Sequence, residues 1–203
     1  MSEEQSRTGI ASAALMHLGR DPIADLDASR DQTAVMVRER YPLVRDALLR
    51  SYPWNFAMRF AALPGSALPV AQFGFTHKCA LPAGGAQLYC LRLWRLENKG
   101  IKYQVQGRSL LVCGVPPITI AYVGRVTNEE EFDPMFCELL ALDLALALVN
   151  RLPSNEVRKR GNELRQDRAR LRRSSAMTDA MESSPGETTG GDTGSWLGAR
   201  RPL

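Results

Sequence analysis

Apolar and polar positions along the chain predict a helical zone, then a strand-rich zone, then a second helical zone. Residues 2–18 carry an incomplete apolar stripe at helical spacing. Gly19 follows directly, and glycine is a typical residue at the C-terminal end of a helix. The first predicted helix therefore runs from about Ser2 to Leu18.

A second helix is predicted from about residue 30 to residue 52. Asp27 or Ser29, in the polar turn that precedes it, is a suitable N-terminal cap. Pro42 lies inside the pattern and is expected to kink the helix or break it in two. Pro53 is expected to end it, since the residue before a proline avoids helical backbone angles.

From residue 60 to residue 127 the chain is rich in glycine and proline and its apolar runs are short. The stretch "IKYQVQG" alternates cleanly, and "QLYCLRLWRL", "SLLVCG" and "ITIAYVGRV" are apolar or β-branched runs bounded largely by turn residues. "NKG" and "QGR" are turn signals. This zone predicts four or more strands of a small antiparallel sheet or barrel.

The helix predicted in "TNEEEFDPMFCELLALDLALALVNRLP" is apolar almost all round, which is typical of a helix buried in a core or against another subunit. Thr127 or Asn128 is expected to cap it and Pro153 to stop it. The glutamates of 129–131 are expected to complement its N-terminus rather than to bind a metal.

A last helix, with Ser154 as its cap, is predicted to extend to about residue 182. Its basic part offers apolar contacts only at Val157, Leu164, Leu171 and Ala169. Residues 154–173 hold eight basic and three acidic residues, a net charge of +5, whereas the whole chain of 203 residues carries +4. Three roles stay open for this basic segment: phosphate contacts, an interface with an acidic partner, or a solvated face with intrahelical ion pairs. The contact candidates are Arg158, Arg160, Arg165, Arg168 and Arg172.

The predicted fold class is therefore α+β: a helical bundle with an inserted small antiparallel β domain and an extended C-terminal arm. The bundle comprises residues 1–58 and 128–182, the β domain residues 59–127, and the flexible arm residues 183–203, which are rich in Gly, Ser and Thr.

The composition and the motifs exclude several function classes. No apolar run reaches the roughly 18 residues of a membrane span, and the acidic N-terminus does not resemble a signal peptide. The four cysteines show no metal-ligand spacing and are expected to be reduced. No nucleophile elbow, zinc-protease motif or P-loop is present. His17 is expected to be a structural histidine, so we predict neither an enzyme nor a bound metal or cofactor.

Two aromatic features attract attention. Tyr52, Trp54, Asn55 and Phe56 follow the second helix, in a chain with only 7% aromatic residues, and predict a packed structural corner. Trp196 lies in the glycine-rich arm. Because Trp and Arg are enriched at binding hot spots, "SWLGARR" predicts an anchor that orders on a partner, or else an end without a function. The anchor residues are Trp196, Leu197, Arg200 and Arg201.

Several stretches in a fixed order resemble the phage tail tubular protein A family, the head-to-tail adaptors of short-tailed phages. "YPLVRDALLRSYPWNFA" resembles the family's helix and Trp-Asn-Phe-Ala corner. "KYQVQGRSLLV" and "PPITIAYVGRVTNEEEFDPMFCELLALDLALALV" resemble its Tyr-x-x-x-Gly strand, its Y-x-x-R-V-T strand end and its F-D-P-x-F helix entry. The resemblance covers about residues 10–181. It departs at Gly84 and Gly85, where the family's turn has Leu-Pro-Ala-Asp.

The resemblance implies a structural virion protein at the head–tail junction, made in the host cytoplasm. About twelve copies would form a ring under the portal protein, extend the DNA channel and offer a platform to the next tail component. Genomic DNA would pass through the channel of the ring without sequence-specific contacts. The alternative from another class is a basic DNA-binding protein that acts outside a virion.

Overall fold

The computed structural model describes residues 6–149, 151 and 155–182 of the chain. In this part of the chain, two helices precede seven strands and two follow them, with one short helix among the strands, and the predicted α+β class is confirmed. The helices are α1 (Arg7–His17), α2 (Gln32–Ser51), α3 (Gly85–Leu88), α4 (Pro134–Val149) and α5 (Asn155–Glu182). The strands are β1 (Met58–Leu63), β2 (Gly65–Gln72), β3 (Phe75–Ala80), β4 (Cys90–Leu96), β5 (Tyr103–Gln106), β6 (Ser109–Val112) and β7 (Ile118–Gly124). The predicted arm, residues 183–203, lies outside the described residues.

The first helix starts later than predicted. Its cap is Ser6, whose hydroxyl accepts a hydrogen bond from the backbone N–H of Gly9 at 2.9 Å. Gly19 follows the helix at φ +70°, in the left-handed conformation that glycine adopts at low cost. The predicted stop is therefore confirmed.

The predicted caps of the second helix, Asp27 and Ser29, are wrong. Asp31 is the residue directly before the first helical turn, and its carboxylate accepts from Thr33 N at 3.1 Å. The helix also runs through Pro42 without a break. A proline removes one backbone hydrogen bond, and the buried residues on both sides of it keep this helix in one piece.

The apolar helix α4 lies at the centre of the bundle and packs against α1, α2 and α5. Its burial on nearly every side confirms the prediction from its composition. Ten of its sixteen residues are buried: Phe136, Cys137, Leu139, Leu140, Ala141, Leu142, Leu144, Ala145, Leu148 and Val149. An apolar circumference of this kind loses most contact with water, so α4 is the element on which the other helices assemble.

The entry to α4 differs from the prediction. Asn128 caps a separate short 3₁₀ turn formed by the three glutamates (129–131). Asp133 then caps α4 itself, since its Oδ1 accepts from the N–H groups of Met135 and Phe136 at 2.7 and 3.3 Å. Phe132, which is 3% exposed, separates the two turns, and its backbone is extended (φ −73°, ψ 140°). Thr127 and the glutamates are therefore not the first turn of α4, and Pro153 and Ser154 lie outside the described residues.

The strands form two antiparallel sheets, ordered β1-β7-β4 and β2-β3-β6-β5. Their facing sides share one buried cluster, with Leu63 and Ile120 from the first sheet and Cys79 and Leu110 from the second. The four predicted strand runs correspond to β4 to β7, and the predicted turns contain Gly100 and Gly107, both at positive φ. The insert is therefore a small two-layer sandwich.

Candidate functional site

The predicted aromatic corner is a packed joint between the bundle and the β insert. Tyr52 directly follows α2 as its C-terminal cap, and Asn55 and Phe56 begin a short 3₁₀ turn that leads into β1. Trp54 is 3% exposed, and its indole N–H donates to the carbonyl of Leu48 at 3.2 Å. The corner therefore fixes the direction in which the chain leaves the helix.

Two phenylalanines at the start of α4 complete this corner. The Phe136 ring lies 5.2 Å from Trp54 and 5.1 Å from Phe56, in edge-to-face contacts. The Phe132 ring lies 4.9 Å from Phe136 and 5.9 Å from Phe56. Aromatic pairs at these separations add about 0.5–1.5 kcal/mol beyond their buried area. The cluster ties α2, β1 and α4 together, which is a packing role.

One of the basic residues proposed for partner contact on α5 is engaged inside the chain. The Arg168 guanidinium pairs with the carboxylate of Asp143 on α4 through two contacts, one of them NH2 to Oδ2 at 3.0 Å. The hydrogen bond to Asp143 raises the pKa of Arg168. Arg168 thus holds α5 against α4, and its guanidinium is already paired within the chain.

The other basic side chains described on α5 are exposed. They are Lys159, Arg160, Arg165, Arg170, Arg172 and Arg173. Arg158 lies in the helix, but its side chain is outside what the structure describes. Val157 and Leu164 are buried as predicted and Leu171 packs at the edge of the core, whereas Ala169 is exposed and that prediction was wrong.

The apolar packing of α5 is uneven along its length. With 28 residues it is about 42 Å long, against about 24 Å for the 16 residues of α4. No residue of α5 beyond Leu171 belongs to the described apolar core. Arg172 and Arg173 are exposed to solvent, whereas Ser175, further along the helix, is 2% exposed. We call the exposed side chains of residues 165–173 the basic face.

Two further titratable side chains, His17 and Cys137, belong to α1 and α4. His17 Nε2 lies 3.0 Å from Glu138 Oε1, so the predicted structural histidine has its partner. This hydrogen bond lowers the pKa of Glu138. Burial raises the pKa of the Cys137 thiol to about 11. Within the described ranges, no group of His, Cys, Asp and Glu could hold a metal ion, and no helix combines the length and apolar content of a membrane span.

The structure reveals a hairpin tip that the sequence pattern did not indicate. β2 and β3 are joined by the two-residue turn Phe73–Gly74, with both residues at positive φ (53° and 87°). Such a turn favours Asn or Gly, and a bulky side chain in this conformation is strained. Phe73 is nevertheless fully exposed, and Val70 beside it is 73% exposed. The sequence signal for this turn is the pair Phe-Gly, which lies between the short segments that form β2 and β3.

A second feature that sequence reasoning missed is a cleft of about 570 Å³ lined by arginines from α2, β4, the β5–β6 turn and the end of β7. These residues are far apart in the sequence and come together only through the fold. Hence no local pattern of the chain indicates the cleft.

The four predicted anchor residues, Trp196, Leu197, Arg200 and Arg201, lie outside the described residues. Comparison with known proteins adds no assignment: a scan against protein-family models gives no match, and a search of curated proteins gives no significant match.

Proposed function

We propose that the chain is a head-to-tail adaptor that forms a ring, of about twelve copies, under the portal of a short-tailed phage. The observation that carries this proposal is the basic face of α5, an exposed cationic surface anchored to the bundle by the Arg168–Asp143 pair. A long helix with little apolar packing gains stability by binding a partner. The resemblance of the corner and of the α4 entry to the adaptor family supports the same role.

A ring requires a heterologous contact, in which one patch of a subunit meets a different patch of its neighbour. The hairpin tip fits the protruding half of such a contact because Phe73 is fully exposed on a short turn. Backbone strain is retained where the surrounding function needs it. We assign Phe73 to the contact with the neighbouring copy. The basic face and the arm ending in Trp196, Leu197, Arg200 and Arg201 would then serve the portal.

Phe73→Asn is expected to raise the stability of the subunit and to weaken ring formation. Asparagine tolerates the left-handed conformation better than phenylalanine, so the free energy of unfolding should rise by about 0.5–1 kcal/mol. The apolar tip is lost, so ring formation should weaken by about tenfold or more. Chemical denaturation measures the first effect and analytical ultracentrifugation the second.

The matched control is Val115→Asn, which removes a 79% exposed apolar side chain from the connection between β6 and β7. It should leave the sedimentation profile unchanged. If Phe73→Asn also left the profile of a ring-forming wild type unchanged, the hairpin tip would have no part in the contact between copies.

The second candidate is a basic DNA-binding protein that acts outside a virion, and the same basic face favours it. Arginines that contact phosphate release counterions, so duplex affinity of the isolated monomer should then fall steeply with salt. The adaptor proposal instead expects weak duplex affinity by the monomer and binding to a portal ring. Fluorescence anisotropy with a labelled duplex at two salt concentrations separates the two.

A further inference from the structure

The arginine cleft lies where the C-terminal half of α2 meets the β sandwich. Four arginines line it, and the one acidic side chain in its described lining is Asp46, so the cleft has an excess of three positive charges. The arginines are Arg50, Arg92, Arg108 and Arg125. Four guanidinium groups around one small volume repel one another unless an anion lies between them.

The carboxylate of Asp46 is already paired with two arginines. Asp46 Oδ1 accepts from Arg45 Nε and NH2 at 3.1 and 2.8 Å, and its Oδ2 lies 2.8 Å from Arg125 NH2. Arg45 itself is buried at 8% exposure. One carboxylate therefore serves two guanidinium groups, and it cannot neutralise the other arginines of the cleft.

Those arginines are held by main-chain carbonyls instead. Arg50 NH1 donates to Leu91 O at 2.6 Å, and Arg92 NH1 donates to Arg50 O at 3.3 Å. Arg108 NH1 donates to Cys90 O at 2.6 Å. A carbonyl orients a guanidinium but carries no net charge, so these contacts position the arginines without neutralising them.

One aromatic ring contacts two of the guanidinium groups. The Cζ atoms of Arg108 and Arg125 lie 4.1 and 4.2 Å from the centroid of the Tyr89 ring. Arg125 Nε is buried and donates no hydrogen bond to any described residue. Stacking on an aromatic ring removes rotamer freedom before any ligand arrives, which lowers the entropic cost of binding.

We propose that the arginine cleft binds a phosphate-bearing anion. Each guanidinium presents a planar fork of N–H donors that matches the oxygens of phosphate. One guanidinium can satisfy a lone carboxylate, whereas several around one volume match a group with several charged oxygens. The ligand is either a free oligophosphate or the phosphates of a nucleic-acid strand. This site is separate from the basic face and does not depend on ring assembly.

The test uses the full chain in chloride buffer, with tripolyphosphate by isothermal titration calorimetry and a labelled single strand and duplex by anisotropy. The variant is Arg50→Gln with Arg92→Gln, whose guanidinium groups donate their described hydrogen bonds to main-chain carbonyls; the Arg92 guanidinium also lies over the Trp94 ring. The charge-matched control is Arg95→Gln with Lys99→Gln, two exposed residues outside the cleft. Loss of ten-fold or more in affinity is expected for the variant and less than two-fold for the control.

Each outcome decides the proposal. Binding of tripolyphosphate alone, dependent on the cleft arginines, supports a free phosphate ligand; binding of an oligonucleotide with the same dependence supports a nucleic-acid strand. No binding of any of the three probes overturns the proposal, as does an equal loss in the control. A polyglutamate peptide that displaces tripolyphosphate at lower concentration also overturns it, in favour of an acidic protein segment. Should the double variant melt early, Arg92→Gln alone replaces it.

Discussion

Trp54→Ala is expected to lower the free energy of unfolding by about 3–5 kcal/mol, the usual cost of removing a buried tryptophan side chain. The indole is 3% exposed and lies 5.2 Å from the rings of both Tyr52 and Phe136. Its removal leaves a cavity at the point where α2, β1 and α4 meet. Urea denaturation followed by far-UV circular dichroism measures the loss.

The matched control is Trp94→Ala, in the same chain and with the same change of side chain. Trp94 is 40% exposed, and its described ring contact is the Arg92 guanidinium at 5.1 Å. An exposed cation–π contact is worth about 0.5–1 kcal/mol, so the control should lose about that much. Equal losses in the two variants would contradict the assignment of the corner as the packed joint.

Reversing three charges on the basic face is expected to weaken partner association by about 100-fold. The variant is Arg170→Glu, Arg172→Glu and Arg173→Glu. All three side chains are exposed, and the one described ion pair among them is the 4.0 Å contact of Arg170 with Asp167. Each reversed contact at an interface costs on the order of 1 kcal/mol, and 1.4 kcal/mol is tenfold in affinity.

Helix α5 should remain folded in this variant because none of the three residues contributes to the apolar core. Ultracentrifugation measures ring formation, and co-sedimentation with a portal ring measures portal binding. The control, Arg30→Glu with Lys99→Glu and Lys102→Glu, makes the same change in net charge at exposed positions away from α5. A triple variant that forms rings and binds the portal like the wild type would show that the basic face contacts neither partner.

The sequence predicts this fold well where one element carries its own periodicity or composition. The apolar circumference of α4 indicates burial on every side, and ten of its residues are buried. The corner is equally local, since Tyr52, Trp54 and Phe56 lie within five residues of one another. Helix starts were predicted less well, because several residues in each polar turn are suitable caps. Asp31 caps α2, and the extended backbone at Phe132 separates the glutamate turn from α4; neither position is specified by the local pattern.

The candidate surfaces were only partly predictable, because they depend on contacts between residues that are far apart in the sequence. The charge of α5 is visible in the sequence, but the pairing of Arg168 with Asp143 is a contact between helices that no local pattern contains. The arginine cleft joins Arg50 to Arg125, and Phe73 shows its strain only through its φ angle. Long-range convergence and backbone conformation are properties of the folded chain.

The most direct test of the adaptor proposal is the particle mass of the chain in solution, alone and mixed with a portal ring from the same genome, followed by electron microscopy of the mixture. The proposal predicts a ring of about twelve copies stacked coaxially on the portal. A chain that stays monomeric and leaves the mass of the portal unchanged would contradict it.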